Sequence, residues 1–409
     1  MRGSQKQRIV IVGGGFAGIG AARALQRGPQ VTLIDRKPSF EFLPNIHEIV
    51  SGLKKPSTVG LSHERMARDL DHTFVRDEVT AIDPAQRTVV TSSQRIPYDA
   101  LILAPGGAAA ADGVAGAEAH AHFFRSADDA ERVRRRLDVL AALPGESHVT
   151  IVGGGFTGVE VLGEILREHR KRRTLRVRLI ESDRRLMGDW PKVLHRRVKK
   201  IAERHGVELR LGTRVAQVEA DHVILTTGQS LPSQLTIWTA GARGPRLLES
   251  AGLATGTSGW ADVDERLASR RFPEVFVAGD AAQLPTRVRK QGAEALRLGE
   301  RAAKNAKRLL AGRELKKFRK DELPLLVTFG DLSAFVLLED DTVLEGHALA
   351  AGREFVFQES MATLDDVSGP GSLRRLAKRL RAGEEELGWT RSLFPFEALD
   401  QLLGLRIHL

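Results

Sequence analysis

The stretch IVIVGGGFAGIGAARALQRGPQVTLID, residues 9–35, decides the fold of this chain. It opens with four β-branched apolar residues, as a buried parallel strand does. Gly13, Gly15 and Gly18 follow in the G-x-G-x-x-G spacing, which provides a tight turn, close approach to a pyrophosphate and close packing of the next helix. The amides and the dipole at the start of that helix favour a bound phosphate.

The residues after this helix complete a dinucleotide-binding pattern. Gly28-Pro29 is a stop signal for the helix. A second apolar strand, residues 31–34, then delivers Asp35, whose carboxylate can accept hydrogen bonds from a ribose diol. A lone glycine motif is weak evidence, but strand, glycines, helix, strand and acid in this order predict a binding site for an adenine dinucleotide.

A second copy of the pattern, VTIVGGGFTGVEVLGEIL, occupies residues 149–166. Its glycines lie at a constant offset of 140 residues from those of the first copy and are Gly153, Gly155 and Gly158. The next strand, residues 176–180, leads to Glu181, a second candidate ribose ligand. Two dinucleotide sites predict FAD and a nicotinamide cofactor used together, because hydride passes directly between stacked rings. The alternative is a duplicated scaffold with one inactive site.

One position of the second copy differs from the first in an informative way. Glu160 stands where the first copy has Gly20. A carboxylate there is predicted to lie between nicotinamide and flavin, where it hydrogen-bonds the carboxamide or tunes ring electronics; the alternative is a carboxylate favoured only by the helix dipole. Glu181 favours NADH over NADPH because it repels a 2′-phosphate, although Arg184 and Arg185 weaken that preference.

Composition excludes several classes of site and protein. With 409 residues, two or three domains are expected. The chain has no cysteine, which excludes disulfides, thiolate metal sites and redox dithiols. There is no run of 18 apolar residues, and the first strand begins too early for a secretory signal. We therefore expect a location in the cytoplasm or at the cytoplasmic face of a membrane.

The chain is strongly basic, with a formal net charge of +10. Nucleic acid or anionic lipid could exploit this charge. The basic residues are scattered over helices, however, and only one aromatic residue is a tyrosine. Without a stacking platform we interpret the charge as an arginine-rich solvated surface, and no nucleic-acid partner is expected.

Further segments fit around these two sites. Residues 40–45 include Pro44 and are predicted to form a rigid wall beside the flavin, or else an ordinary packing loop. Residues 275–280 form a strand ending in Gly279-Asp280, where the aspartate suits the sugar-alcohol chain of FAD. The helix that follows is predicted over residues 291–310. Residues 236–241 return the chain from the second domain to the first.

Together these motifs resemble the type II NADH dehydrogenases and, more broadly, the pyridine nucleotide-disulfide oxidoreductase superfamily. The resemblance covers roughly residues 7–345. It is carried by the loop around Pro44, both glycine motifs, residues 238–241 and residues 278–282. It implies FAD in the first site and NADH in the second, with Asp280 as an FAD ligand and Glu160 near nicotinamide and flavin. The sulfide:quinone branch needs redox cysteines, which this chain lacks.

One departure from the family concerns the quinone site. Type II NADH dehydrogenases carry Ala-Gln and Gln-Gln pairs on the helix after the Gly-Asp segment. Alignment on Asn305 places Gly292-Ala293 and Arg297-Leu298 at these positions, while Gln283 and Gln291 lie off register. Quinone is still the expected acceptor, with a protein or another small molecule as the alternative. A non-catalytic flavin-binding protein is a second alternative.

The predicted fold class is α/β, with two Rossmann-like domains in a glutathione-reductase-like arrangement and a small C-terminal α+β domain. An FAD-binding domain is expected over residues 1–112 and 237–322, an NAD(P)H-binding domain over 113–236 and the C-terminal domain over 323–409. Within residues 369–409, a basic amphipathic helix and an apolar aromatic tail suit a monotopic membrane anchor. A helix docked on the body or a homodimer contact is the alternative.

Glu160 is the candidate catalytic residue, and no metal site is predicted. The candidate cofactor-binding residues, in chain order, are Gly13, Gly15, Phe16, Ala17, Gly18, Asp35, Arg36, Pro44, Ala104, Pro105, Gly106, Gly153, Gly155, Gly158, Glu160, Glu181, Gly241, Gly279 and Asp280.

Overall fold

The first glycine motif lies in the middle of a five-stranded parallel sheet. In spatial order its strands are Val275–Val277, Ala100–Leu103, Arg8–Val12, Gln30–Asp35 and Thr73–Arg76. This computed structural model describes residues 7–365 except 27, 112, 171–173, 255, 321–323, 339–341 and 347. The strand Ala100–Leu103 and residues 9–12 of the central strand are buried, as their continuous apolar sequences predict.

The second glycine motif lies in an equivalent parallel sheet. In spatial order its strands are His122–Phe123, Leu235–Trp238, Ser147–Val152, Leu175–Glu181 and Glu208–Leu211. In both sheets the motif strand is central, with the acid-bearing strand beside it. Ligands bind at the carboxyl edge of such sheets, where the glycine turns lie. The predicted α/β fold class is thus present in both halves.

The internal repeat extends beyond the glycine motifs. In each half a three-stranded antiparallel unit precedes the strand that returns to pair with the motif strand, which is Ala100–Leu103 in the first sheet and Leu235–Trp238 in the second. The strands of the first unit are Val79–Asp83, Thr88–Thr91 and Arg95–Pro97, and those of the second are Val215–Val218, His222–Leu225 and Ser230–Pro232. The two halves therefore share this order of elements, although the outermost strand comes last in the chain in the first sheet and first in the second.

The helices cover the sheets and lead into the sites. The longer α-helices are Phe16–Ala24, Ala127–Ala142, Phe156–His169, Lys192–Arg204 and Gly292–Leu310, and the shorter ones are His63–Asp69, Ala117–His120 and Arg246–Ser250. The 3₁₀ segments are Leu43–Ile49, Pro56–Val59 and Gly279–Ala281. Three short strand pairs are Ser39–Glu41 with Gly60–Ser62, Ala108–Ala109 with Ala242–Arg243, and Ala261–Asp262 with Ala282–Gln283.

The first-motif helix, Phe16–Ala24, ends earlier than its sequence suggests. Its last turn tightens, because the N–H of Leu25 bonds to the carbonyl of Ala22 at 3.1 Å. Gly28-Pro29 therefore lies in the turn before the next strand and does not cap the helix. The C-terminal helix of this half, Gly292–Leu310, begins one residue later than expected, with Gln291 as its N-cap.

These two helices pack against each other through glycines. A Cβ added to Gly299 would overlap the carbonyl of Ala17, and one added to Gly20 would overlap the carbonyl of Leu296. The close approach brings the start of the long helix to the first glycine turn, because the ring of Phe16 lies directly against Gly292. Packing of this density fixes the position of the first site.

The C-terminal part begins with the predicted hairpin. Strands Leu325–Phe329 and Ser333–Leu337 pair antiparallel, Val343–Glu345 adds a third strand, and the helix Ala348–Asp365 follows. The turn of the hairpin packs on the second-motif helix, Phe156–His169, because a Cβ on Gly163 would overlap Gly330. Residues 369–409, for which an anchor or a dimer contact was predicted, lie outside the described residues.

A membrane span was not expected from the sequence. Within the described ranges, no helix combines the length and the apolar character that crossing a bilayer requires.

Candidate active site

The first glycine turn is held open by backbone geometry and by one carboxylate. Gly13 has a φ of +98°, which a side chain would strain, and a Cβ there would overlap the carbonyl of Ala104. The N–H of Gly14 donates to Asp35 Oδ2 at 2.6 Å, and the N–H of Lys37 donates to Asp35 Oδ1 at 2.7 Å. Asp35 is thereby oriented at the carboxyl edge of the sheet.

The second glycine turn reproduces this arrangement. Gly153 has a φ of +107°. The N–H of Gly154 donates to Glu181 Oε2 at 2.5 Å, and the N–H of Asp183 donates to Glu181 Oε1 at 2.8 Å. The two turns therefore share one pattern of hydrogen bonds between backbone and carboxylate.

The shape of both turns fits a dinucleotide pyrophosphate. Gly15 and Gly155 are the N-caps of their helices, and neither helix start is capped by a side chain. A Cβ added to either glycine would meet nothing within 4 Å. Free amides at a helix start, next to open space, form an anion site. The residues present therefore fit the two nucleotides that the sequence predicts.

The residues around Asp280 form a compact polar group beside the first turn. Gly279 packs on Ala17 of the first-motif helix. Lys290 donates to the carbonyl of Asp280 at 2.8 Å, and its ammonium lies over the ring of Trp260. Burial raises the pKa of Asp280 and lowers the pKa of Lys290 to about 8. The positive charge of Arg125 lowers both pKa values. This group lies where an FAD ligand is predicted.

A cavity of about 180 Å³ lies where the two halves meet. Its lining residues are Leu43, Ile46, His47, Ala109, Phe124, Arg125, Thr157, Glu160, Trp238, Thr239, Ala240 and Gly241. Most of them come from the 3₁₀ segment Leu43–Ile49, the second-motif helix and the end of the strand Leu235–Trp238, and the others from the crossing strand Ala108–Ala109 and the start of the second half. Apolar walls with a few polar groups are typical of a ligand site.

Glu160 contributes a buried carboxylate to this cavity. Its Oε1 accepts a hydrogen bond from Arg353 Nη1 at 2.6 Å. Burial raises the pKa of Glu160, while Arg353 and the backbone of Thr328 oppose that rise. Arg353 also donates to the carbonyl of Pro44, so the predicted wall and the predicted catalytic residue share one guanidinium.

His47 lies beside Glu160 but does not form an ion pair with it. Its Nδ1 is 3.7 Å from Glu160 Oε2, and its Nε2 is 3.3 Å from Thr328 Oγ1. Burial and the positive charges of Arg353, Arg167 and Lys54 hold the pKa of His47 well below its usual value. A neutral imidazole therefore borders the cavity, and it is a polar neighbour and not a counter-charge.

A second buried carboxylate, Glu164, lies one turn further along the same helix. Ser51 donates to it, and Arg167 Nε lies 3.1 Å away. Burial raises the pKa of Glu164 to about 7, against the opposing effects of Arg167 and Ser51. The folded state thus binds a proton that the unfolded state releases at lower pH.

Glu164→Gln is expected to remove a pH-dependent loss of stability. The contribution of a carboxyl whose folded pKa is raised is complete below its ordinary value of 4.5 and is lost as the pH rises through about 7. At about pH 8, the variant should gain about 2 kcal/mol in free energy of unfolding relative to wild type. Urea denaturation at acidic and basic pH measures this. Glu168→Gln, exposed on the same helix, is the control; equal pH dependence in all three proteins would contradict the prediction.

The structure brings most predicted site residues to the two glycine turns or to the cavity. Ala104, Pro105 and Gly106 follow the strand beside Gly13, and Gly241 packs on Ala110 at the cavity. Arg36 differs, because its side chain is 72% exposed and lies 3.8 Å from Glu78. The roles of these residues stay predictions.

Sequence reasoning missed three contributors. They are Arg353, Arg125 and Lys290, which reach the site from helices or loops that carry no motif. A buried carboxylate such as that of Glu160 needs a cation nearby. This requirement was the one argument from which a basic partner such as Arg353 could have been expected.

Comparison with known protein families shows which family has these two sites. The model of the pyridine nucleotide-disulphide oxidoreductase family matches residues 7–303, which include both glycine sites and Asp280. The chain belongs to this family. Membership confirms the predicted fold class, the oxidoreductase assignment and the predicted cofactor pair, FAD and NADH.

Individual relatives agree with the family. Demethylphylloquinone reductase NdbB of Synechocystis is 26% identical over 297 residues, which are 68% of this chain and 72% of the relative. A type II NADH:quinone oxidoreductase of Haemophilus influenzae is 24% identical over 382 residues, 80% of this chain and 86% of that one. NDH2 of Plasmodium falciparum, solved with NADH, has a TM-score of 0.76 at 17% identity and covers 87% of this chain and 95% of its own. The predicted resemblance to type II NADH dehydrogenases is confirmed.

Proposed function

We propose that this protein oxidises NADH and passes the electrons through FAD to a quinone. The observation that carries the proposal is the cavity at Glu160, which is lined by residues of both halves, each of which has an open glycine turn. The names of the two relatives above, a demethylphylloquinone reductase and an NADH:quinone oxidoreductase, support quinone as the acceptor class.

The chain's own part in this reaction is binding and positioning. When bound, FAD accepts hydride from NADH and passes electrons to a second acceptor. The amides of both glycine turns bind pyrophosphates, and Asp35 and Glu181 accept hydrogen bonds from ribose. Glu160 orients the nicotinamide carboxamide, while the buried side chain of Ile46 gives the cavity an apolar wall. Holding reactants in reactive geometry supplies much of the acceleration in such enzymes.

A soluble acceptor, either a small carrier protein or a small molecule, is the second candidate. One observation favours it: the helix Gly292–Leu310 lacks the glutamine pairs that line the family's quinone site. Gly292 instead lies against the ring of Phe16, and Arg297 Nη1 contacts Glu294 at 3.3 Å. An acidic carrier would also be attracted to the basic surface.

Reoxidation of the reduced protein separates these acceptors. The protein is first reduced with one equivalent of NADH without oxygen and is then mixed with a soluble quinone analogue or with an oxidised ferredoxin-type carrier. We expect faster return of flavin absorbance with the quinone. Faster reoxidation by the carrier, with little response to quinones, would favour the second candidate.

We also propose the division of the chain into an FAD-binding domain, 1–112 and 237–322, an NADH-binding domain, 113–236, and a C-terminal domain from residue 323. The crossing strands Ala108–Ala109 and Ala242–Arg243 pair near both proposed boundaries, which supports the division.

Peripheral membrane association through residues 369–409 would bring the protein to its quinone. Basic and apolar residues alternate at helical spacing there, which favours an interfacial helix. A chain ending at residue 368 is expected to move from the membrane fraction to the soluble fraction, whereas the full chain should sediment with membranes. Identical partitioning of the two would favour a docked helix or a dimer contact instead.

A further inference from the structure

Arg353 joins three separate parts of the fold at the cavity. It belongs to the helix Ala348–Asp365 and is only 7% exposed. Its Nη1 donates to Glu160 Oε1 at 2.6 Å and to Thr328 Oγ1 at 2.9 Å, and its Nη2 donates to the carbonyl of Pro44. One guanidinium therefore contacts the second-motif helix, the C-terminal hairpin and the wall of the first half.

The contact between Arg353 and Glu160 matters because of the other charged groups around Glu160. From the segment Leu43–Ile49, His47 is neutral, and Glu48 raises the pKa of Glu160, which disfavours the ionised form of that carboxyl. From its own helix come Glu164 and Arg167, which pair with each other. Among the described residues, Arg353 is thus the cation in direct contact with Glu160.

Loss of this cation would change the chemistry that Glu160 offers. A buried carboxylate without a partner takes up a proton. The ionised form only accepts hydrogen bonds, which matches the N–H groups of a carboxamide, whereas the protonated form presents a donor as well. The guanidinium also fixes the orientation of the carboxylate. It can do so because its own position is fixed by hydrogen bonds to Thr328 and to the carbonyl of Pro44.

We propose that Arg353 is a positioning residue for the reaction with NADH: it keeps the Glu160 carboxylate ionised and directed at the cavity, where the nicotinamide carboxamide donates to it. This inference rests on the proposed function. It extends the site to the C-terminal helix, which contains none of the motifs that identify the two nucleotide sites.

The test compares binding and flavin reduction across pH in the full-length holoprotein. The variants are Arg353→Met, Arg353→Lys and, as a matched control, Glu354→Gln. Glu354 is the next residue and ties the same helix to Lys54 at 2.6 Å, without contacting Glu160. The probe for binding is 1,4,5,6-tetrahydro-NAD, which resembles NADH but cannot give up hydride.

The sign of the expected pH effect follows from the role of Glu160. Binding requires the ionised carboxylate, so it is present above the pKa of Glu160 and is lost as the pH falls through that value. Arg353→Met removes the main opposition to burial, raises this pKa and shifts the loss to higher pH. At neutral pH the analogue should bind about 10- to 100-fold more weakly, as for a lost charged hydrogen bond.

The remaining variants decide between positioning and simple structural support. Arg353→Lys should recover part of the binding, and Glu354→Gln should match wild type. The double variant Glu160→Gln/Arg353→Met should lose no more than Glu160→Gln alone, because Arg353 acts through Glu160. If the Met variant does not fold, Arg353→Lys and Glu160→Gln carry the comparison, since both keep a polar group at the substituted position.

Two results would overturn the inference. The first is a pH-independent loss in Arg353→Met that Glu354→Gln shares, and the second is a fully additive double variant. Failure of the proposed function is distinguishable, because then NADH would not reduce the wild-type flavin at any pH.

Discussion

Replacing Gly155 with valine is expected to give a folded, yellow protein that NADH reduces about 100-fold more slowly than wild type. Gly155 has a φ of −71°, which any residue can adopt, and an added Cβ meets nothing within 4 Å. The side chain therefore does not strain the fold. It instead fills the open space where the NADH pyrophosphate approaches the helix amides. Anaerobic stopped-flow absorbance of the flavin measures the effect.

The same substitution at Gly15 is the matched control. Its geometry is equivalent, with a φ of −74° and no atom within 4 Å of an added Cβ. Gly15→Val should fold but purify without flavin, because the first site binds FAD. If Gly15→Val keeps its flavin and Gly155→Val loses it, the assignment of the two sites is reversed. If neither variant changes flavin content or reduction, the open turns are not the pyrophosphate sites.

Gly299→Ala is expected to destabilise the first half and to release FAD. The added Cβ would overlap the carbonyl of Ala17, so the first-motif helix and the helix Gly292–Leu310 must move apart. Overpacking of this kind costs about 1–3 kcal/mol. Because Ala17 directly follows the start of the first-motif helix, the displacement also moves the phosphate-binding amides. Urea denaturation and the fluorescence of released flavin measure the two effects.

Gly352→Ala controls for the general effect of replacing a helical glycine. Gly352 lies in the helix Ala348–Asp365, and an added Cβ meets nothing within 4 Å. Alanine there should stabilise the protein by up to about 1 kcal/mol, because glycine is a poor helix former. Destabilisation by both substitutions would show that the close packing at Gly299 is not the cause.

The parts of the site that local chemistry determines could be predicted from the sequence. Glycine spacing, a buried strand and an acid at the end of the next strand specify one strand–turn–helix unit. The hydrogen bonds of Asp35 and Glu181 to the two turns are therefore consequences of short-range pattern. The C-terminal hairpin was predicted for the same reason, because Gly330-Asp331 separates two apolar strands.

The rest depends on contacts between residues far apart in the chain. Arg353 reaches Glu160 across 193 positions, and no periodicity or motif marks it. Lys290 and Trp260 likewise meet only in the folded protein. The stop signals Gly28-Pro29 predicted a later end for the first-motif helix than the structure has. The helix ends earlier because its last turn tightens at Leu25. Helix ends are sensitive to such small preferences.

Anaerobic reduction of the flavin by NADH and NADPH tests the central claim most directly. The purified, oxidised protein is mixed with each nucleotide without oxygen, and the flavin absorbance is followed. Rapid bleaching by NADH, with a slower response to NADPH, is the predicted result, since Glu181 repels a 2′-phosphate. Yellow protein that neither nucleotide reduces would mean that the second glycine motif is only scaffold, and would contradict the proposed function.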